Sequence, residues 1–137
     1  MNRNDFRELA RVRLREAQAL LQAGHYSGAY YLAGYAVECA LKACIAKMTK
    51  SGDFPDLKTV QDSYTHKLGQ LVKVAGLEAE RDKLEGEDRA FALNWGVVKD
   101  WTEASRYDLY ERAQAESLIT AVTNRRSGIM RWLRNHW

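Results

Sequence analysis

Glu38 and Lys42 are the first residues in this sequence whose types and spacing suggest chemistry: a carboxylate and an ammonium, four positions apart, inside a run that is otherwise apolar. With the acid first they make a favourable helical i,i+4 pair, worth a few tenths of a kcal/mol. Cys39 and Cys44 lie in the same run, five apart. On one helix their Cβ vectors diverge, which disfavours a disulfide, and they read as small core residues. The three histidines and two cysteines of the chain show no zinc spacing, so neither a metal site nor another cofactor is predicted. No Gly-rich phosphate loop stands in a strand-to-helix setting and no paired carboxylates stand out, which argues against nucleotidyl transfer by this chain alone.

The remaining chemistry is basic. The formal charge is only +3, but Arg125, Arg126, Arg131 and Arg134 crowd the C-terminal end, with no acid after Glu116. Glu78, Glu80, Asp82, Glu85, Glu87 and Asp88 make the middle acidic by contrast. A basic end of this kind can hold phosphates, or it can complement the negative end of a C-terminal helix dipole. Arg3, Arg7, Arg11 and Arg15 recur at steps of four. They form a basic stripe, read either as solvated surface or as a nucleic-acid contact. Arg106 is expected to be a loop arginine anchored on a carboxylate, and Tyr107 a ring covering the core.

The elements that position these groups are helical. Residues Tyr26 to Met48 are apolar nearly all round, which marks a core helix that must be covered on most faces. Gly28, Ala29, Ala33, Gly34, Ala36, Ala40 and Ala43 are small and allow close approach along it. Before it, a helix starting near Asn4 or Asp5 runs through Leu21 and stops at Gly24, with His25 as a turn or capping residue. After Lys50 the segment S-G-D-F-P-D, holding the only proline, sets a loop. Ser63 or Thr65 then caps a short helix whose Leu68, Leu71 and Val72 form an apolar edge. A charged helix over Leu77 to Glu85 and a more buried one from about Asp88 to Trp101 follow. A last helix runs from Asp108 or Tyr110 toward the end, its inner faces supplied by Ala113, Ala115, Leu118, Ile119, Val122, Ile129, Trp132 and Leu133. No period-two strand pattern is present. The expected architecture is all-α: one domain over residues 1–137, an up-and-down antiparallel bundle of four to five helices. No secretory or membrane-spanning segment is expected, which points to the cytoplasm. Tyr30, Tyr31, Tyr35, Trp95, Trp101, Trp132 and Trp137 exceed what such a bundle readily buries, so an aromatic interface patch and a homodimer are expected.

Three phrases carry a family resemblance: Gly24, Tyr26, Ala29, Tyr31 and Leu32 followed by A-V-E-C-A-L-K (36–42); Thr65, His66, Leu68 and Leu71; and Ser105-Arg106-Tyr107. Together, over roughly residues 5 to 130, the chain resembles the HEPN family of small helical proteins. The resemblance implies a role in a bacterial or archaeal defence or toxin–antitoxin system. Many members are metal-independent ribonucleases whose signature is an arginine followed, after four to six residues, by a histidine. Arg131 and His136 fit it, with His136 as general acid or base and Arg131 steadying phosphate charge. Arg125, Arg126, Arg134, Arg106 and Tyr107 are then assigned to RNA or nucleotide. On one helix, residues five apart sit about 140° from each other, so a dimer offering residues from two chains would be needed. Arg106 with His66 is another pairing, outside the signature. Two alternatives stand beside the nuclease: a non-catalytic module that binds a nucleotidyltransferase partner protein or a nucleotide, and a structural helical dimer.

Overall fold

The computed structural model describes residues 1–49 and 56–137; the expected proline loop, at 51–55, lies outside the described residues. The chain is all-α, and the described residues hold eight helices where four to five were expected. The first, α1 (Arg3–Gln22), begins earlier than expected, because Asn2 and Asp5 form a reciprocal capping box. Asn2 Oδ1 accepts from the Asp5 amide at 3.0 Å, and Asp5 accepts from the Asn2 amide at 2.9 Å. The helix ends in a Schellman turn: Gly24, at φ +84°, lets the His25 amide reach the Leu20 carbonyl at 2.8 Å.

The core helix α2 spans Tyr26–Met48, the bounds its apolar run predicts. It packs against α1, α4 (Leu68–Val74), α7 (Arg112–Thr123), α8 (Ile129–Arg134) and a short 3-10 turn at Glu103–Tyr107. Ala29, Ala33, Ala36, Ala40 and Ala43 are fully buried along it. The closest approach is made by a side chain rather than by a neighbouring helix. A Cβ at Gly34 would lie 2.2 Å from the Trp101 indole, which is itself 1% exposed. Between the hairpin and α7 come α3 (Leu57–Asp62), which the sequence did not announce, α5 (Glu78–Glu87) and α6 (Arg89–Val98). Asp88 caps α6 through the Phe91 amide at 3.1 Å. Thr65 accepts from the Lys67 amide at 3.2 Å ahead of α4, whose N-cap residue is Lys67 itself.

Two expectations change. The single last helix is broken into α7 and α8 by a turn at 124–128. Asn124 leaves helical geometry at ψ 134°, and its side chain accepts from the Arg126 and Ser127 amides at 3.2 and 2.8 Å, competing with helix continuation. Gly128 closes the turn where a Cβ would sit 2.3 Å from the Asn124 carbonyl. Ser127 Oγ donates to Asp88 at 2.7 Å and Asn94 donates to the Ser127 carbonyl at 2.9 Å, so the turn is tied to α6. The aromatic surplus is also smaller than expected, because Trp95, Trp101, Trp132 and Trp137 are all buried within one protomer, while Tyr30, Tyr31 and Tyr35 are half-buried. Trp132 takes Phe91 and Trp95 edge-on at 5.3 and 6.4 Å. Cys39 and Cys44 are free and buried, and burial pushes their thiols up to about 11 and about 12. No helix among the described residues is long and apolar enough to cross a membrane.

Leu41 is fully buried in α2, so Leu41→Ala should cost about 2 to 5 kcal/mol in denaturant unfolding. Gly34→Ala removes nothing yet should destabilise by about 1 to 3 kcal/mol or more, since the rigid indole cannot yield as a flexible chain end would. A Gly34→Ala protein as stable as the wild type would show that Trp101 does not pack on that glycine.

Candidate functional site

Arg131 projects from α8 and is exposed. Its Nη1 donates to the Arg125 and Arg126 carbonyls at 2.9 and 3.0 Å, which fixes the guanidinium across the 124–128 turn. Beside it opens a cavity of about 560 Å³ between α1 and the α7–α8 junction, lined by Arg11, Arg15, Arg125, Arg131 and Arg134. Its floor is apolar, from the buried Leu14, Val122 and Met130, with Gln18, Thr123 and Asn124 adding polar groups. Among the described residues only Arg11 of the five arginines is ion-paired, to Glu8 at 3.8 Å, with both side chains exposed. Positive charge is concentrated here, with four of the five arginines lacking an acidic partner among the described residues, a setting suited to anions.

His136 lies past the end of α8 and takes a different direction. Its amide donates to the Leu133 carbonyl at 2.9 Å. Its Nε2 is 2.8 Å from Glu80 Oε1, the same oxygen that accepts from Trp132 Nε1 at 2.9 Å. A carboxylate can only accept, so Nε2 is the donor in this bond. Partial burial alone would raise the Glu80 carboxyl; the bonds from His136 and Trp132 outweigh it and hold it below its ordinary value. His136 lines a second cavity, of about 280 Å³, with Cys44, Lys47, Met48, Ala75 and Leu77. One protomer therefore does not bring Arg131 and His136 together.

The other residues singled out in the sequence fall in three places. Arg125 and Arg134 line the Arg131 cavity, while Arg126 is exposed outside its lining. Arg106 and Tyr107 stand apart on the 3-10 turn, both exposed, with the guanidinium 4.9 Å from the tyrosine ring centroid. Arg106 has no carboxylate anchor among the described residues and Tyr107 does not cover the core; Ser105 is the buried member of that turn. The expected Glu38–Lys42 i,i+4 pair forms, and its acid is buried. It is 2% exposed, between Lys42 Nζ at 3.2 Å and His66 Nδ1 at 3.0 Å, which is how a carboxylate survives in the core. Sequence reasoning missed two things: that Arg11 and Arg15 share a cavity with the C-terminal arginines, and that Glu80 and Trp132 hold His136. The four-residue arginine steps were visible; the neighbour of that face was not.

The profile of the HEPN domain family matches residues 4–135, nearly the whole chain. No curated protein and no solved structure matches it.

Because the carboxyl of Glu80 is held low, its contribution to stability should be present above the unfolded value of about 4.3 and be lost as pH falls through the lower folded value. Glu80→Gln should therefore be less stable than the wild type at neutral pH, with the gap narrowing in acid, followed by Trp fluorescence in urea at each pH. A gap independent of pH would show that the ionised carboxyl of Glu80 is not favoured in the fold.

Proposed function

Since the chain belongs to the HEPN family, we propose that it is an RNA-directed member of a defence or toxin–antitoxin type system, cutting RNA without a metal through Arg131 and His136 contributed by two copies. The observation that carries this reading is the arginine-lined cavity that includes Arg131, in which only Arg11 has an acidic partner among the described residues, a setting suited to phosphate. In the reaction the ribose 2′-oxygen attacks the adjacent phosphorus while a histidine Nδ1 takes its proton. The P–O5′ bond breaks and the 5′-oxygen leaves with a proton, giving a 2′,3′-cyclic phosphate and a 5′-hydroxyl. Arg131 steadies the charge on the phosphoryl oxygens. Arg131 and His136 of one copy line different cavities, so the histidine that meets a phosphate at Arg131 belongs to a second copy.

A specific observation favours a second reading, in which the protein binds RNA or a nucleotidyltransferase partner without cutting. His136 Nε2 is already engaged by Glu80, in a bond that ties residues after α8 to α5. In that reading His136 is a tether.

Cleavage of RNA in the presence of EDTA should be seen with the wild type and lost with Arg131→Ala and with His136→Ala. Mixing the two variants in equal amounts should restore about a quarter of the activity, because half the dimers are mixed and each mixed dimer has one complete site. A mixture as inactive as its components would exclude a site shared between copies. An inactive wild type would leave the binding reading.

A further inference from the structure

We propose that the cavity between α1 and the α7–α8 junction is a track for the phosphodiester backbone of single-stranded RNA, in which Arg11 and Arg15 of α1 grip phosphates together with Arg125 and Arg134. The inference rests on the RNA-directed reading above, though not on cleavage, and it adds two arginines more than a hundred residues away in sequence from the Arg131 motif.

The basic stripe of α1 divides in two. Arg3 donates to the Trp137 carbonyl, and Arg7 stands 5.5 Å over the Trp137 ring, so the first half of the stripe packs the end of the chain against α1. Arg11 also stands 5.0 Å from that ring, but it reaches the cavity, and Arg15 lies one turn further along. Four residues of helix place the two about 6 Å apart along the axis, close enough to meet successive phosphates of one strand. Three arginines elsewhere are matched by acids, Arg13 by Glu16, Arg81 by Asp82 and Glu85 at 3.1 and 3.6 Å, and Arg112 by Glu116 at 3.0 Å, while Arg89, Arg106 and Arg126 stand singly without an acid among the described residues. Within the cavity, Arg15, Arg125, Arg131 and Arg134 have no such partner among the described residues.

The lining also indicates what is read. Among the described residues no aromatic side chain lines the cavity, so recognition there passes through phosphate and sugar rather than base stacking. Gln18 and Thr123 supply neutral hydrogen-bonding groups between the arginines, suited to a ribose hydroxyl. A strand lying in the track runs directly to Arg131, which lines the same cavity.

The test is fluorescence anisotropy with the full chain and a labelled oligouridylate, titrated between about 50 and 200 mM salt. Arg11→Gln/Arg15→Gln and Arg125→Gln/Arg134→Gln should each bind at least about tenfold more weakly at low salt, with the salt slope flattened by about 1.4, two contacts at about 0.7 each. Lys58→Gln/Arg112→Gln, which removes two charges already paired to Asp62 and Glu116, should bind like the wild type, and all variants should keep the helical circular dichroism. Groove variants that bind like the wild type would overturn the proposal, as would a control variant that loses as much. Inorganic tripolyphosphate is the third arm: if it binds the groove and the oligonucleotide does not, the site holds a compact polyphosphate and the track is wrong. A protein that binds through the groove and never cuts would sink the cleavage reading alone, and one that cuts with groove variants binding normally would sink this one alone.

Discussion

No face of α2 can be left in water. Its buried side runs from Ala29 to Ile45 with few interruptions, and the single acid within it, Glu38, is paired with Lys42 and bonded to His66. A rod of this kind must be wrapped, and the wrapping is shared among α1, α4, α7, α8 and the 3-10 turn with its preceding Trp101. Each covering element turns its polar back outward. Where two covers meet side by side without merging, their backs form the walls of a seam. The arginine cavity is such a seam, between α1 on one side and the α7–α8 junction on the other.

The break at Asn124 to Gly128 gives that seam its shape. A continuous last helix would carry its arginines past α1 in a spiral, and only some would face it. Leaving the helix at Asn124 and restarting after Gly128 lets α8 take its own direction, so that Arg125, Arg131 and Arg134 reach one cavity. The same restart aims the residues beyond α8 elsewhere: His136 reaches Glu80 on α5, while Trp137 closes on α1. Because the turn is bonded to Asp88 and Asn94, the seam is held by α6 as well as by its own walls.

How much of this was legible follows from which signals are local. Periodicity and side-chain size placed α2 at its true ends and α6 at its Asp88 cap, since both depend on residues within a few positions. The start of α1 was read at Asn4 or Asp5, either a residue type that caps, and the reciprocal box between Asn2 and Asp5 moves it to Arg3. The α7–α8 break was hidden because apolar residues continue in helical register on both sides of it; Asn124 and Gly128 signal a turn only once their contacts are known. The tryptophans looked like too much surface until edge-on packing accounted for them. For the site, residue types were readable and adjacency was not. Four arginines at each end of the chain are plain in the sequence; that Arg11 and Arg15 face Arg125 and Arg134 depends on the bundle closing.

Cys44 offers a view of that closure from within. Its thiol is sealed in the core and donates to the Leu133 carbonyl of α8 at 3.7 Å. A protonated, buried sulfur is chemically silent in the closed molecule. Lifting α8 from α2 would break that bond and uncover the sulfur, which also borders the cavity shared with His136. The slow reaction of this one thiol with an alkylating reagent is thus a clock for the element that carries Arg131, and it separates local opening of the seam from global unfolding.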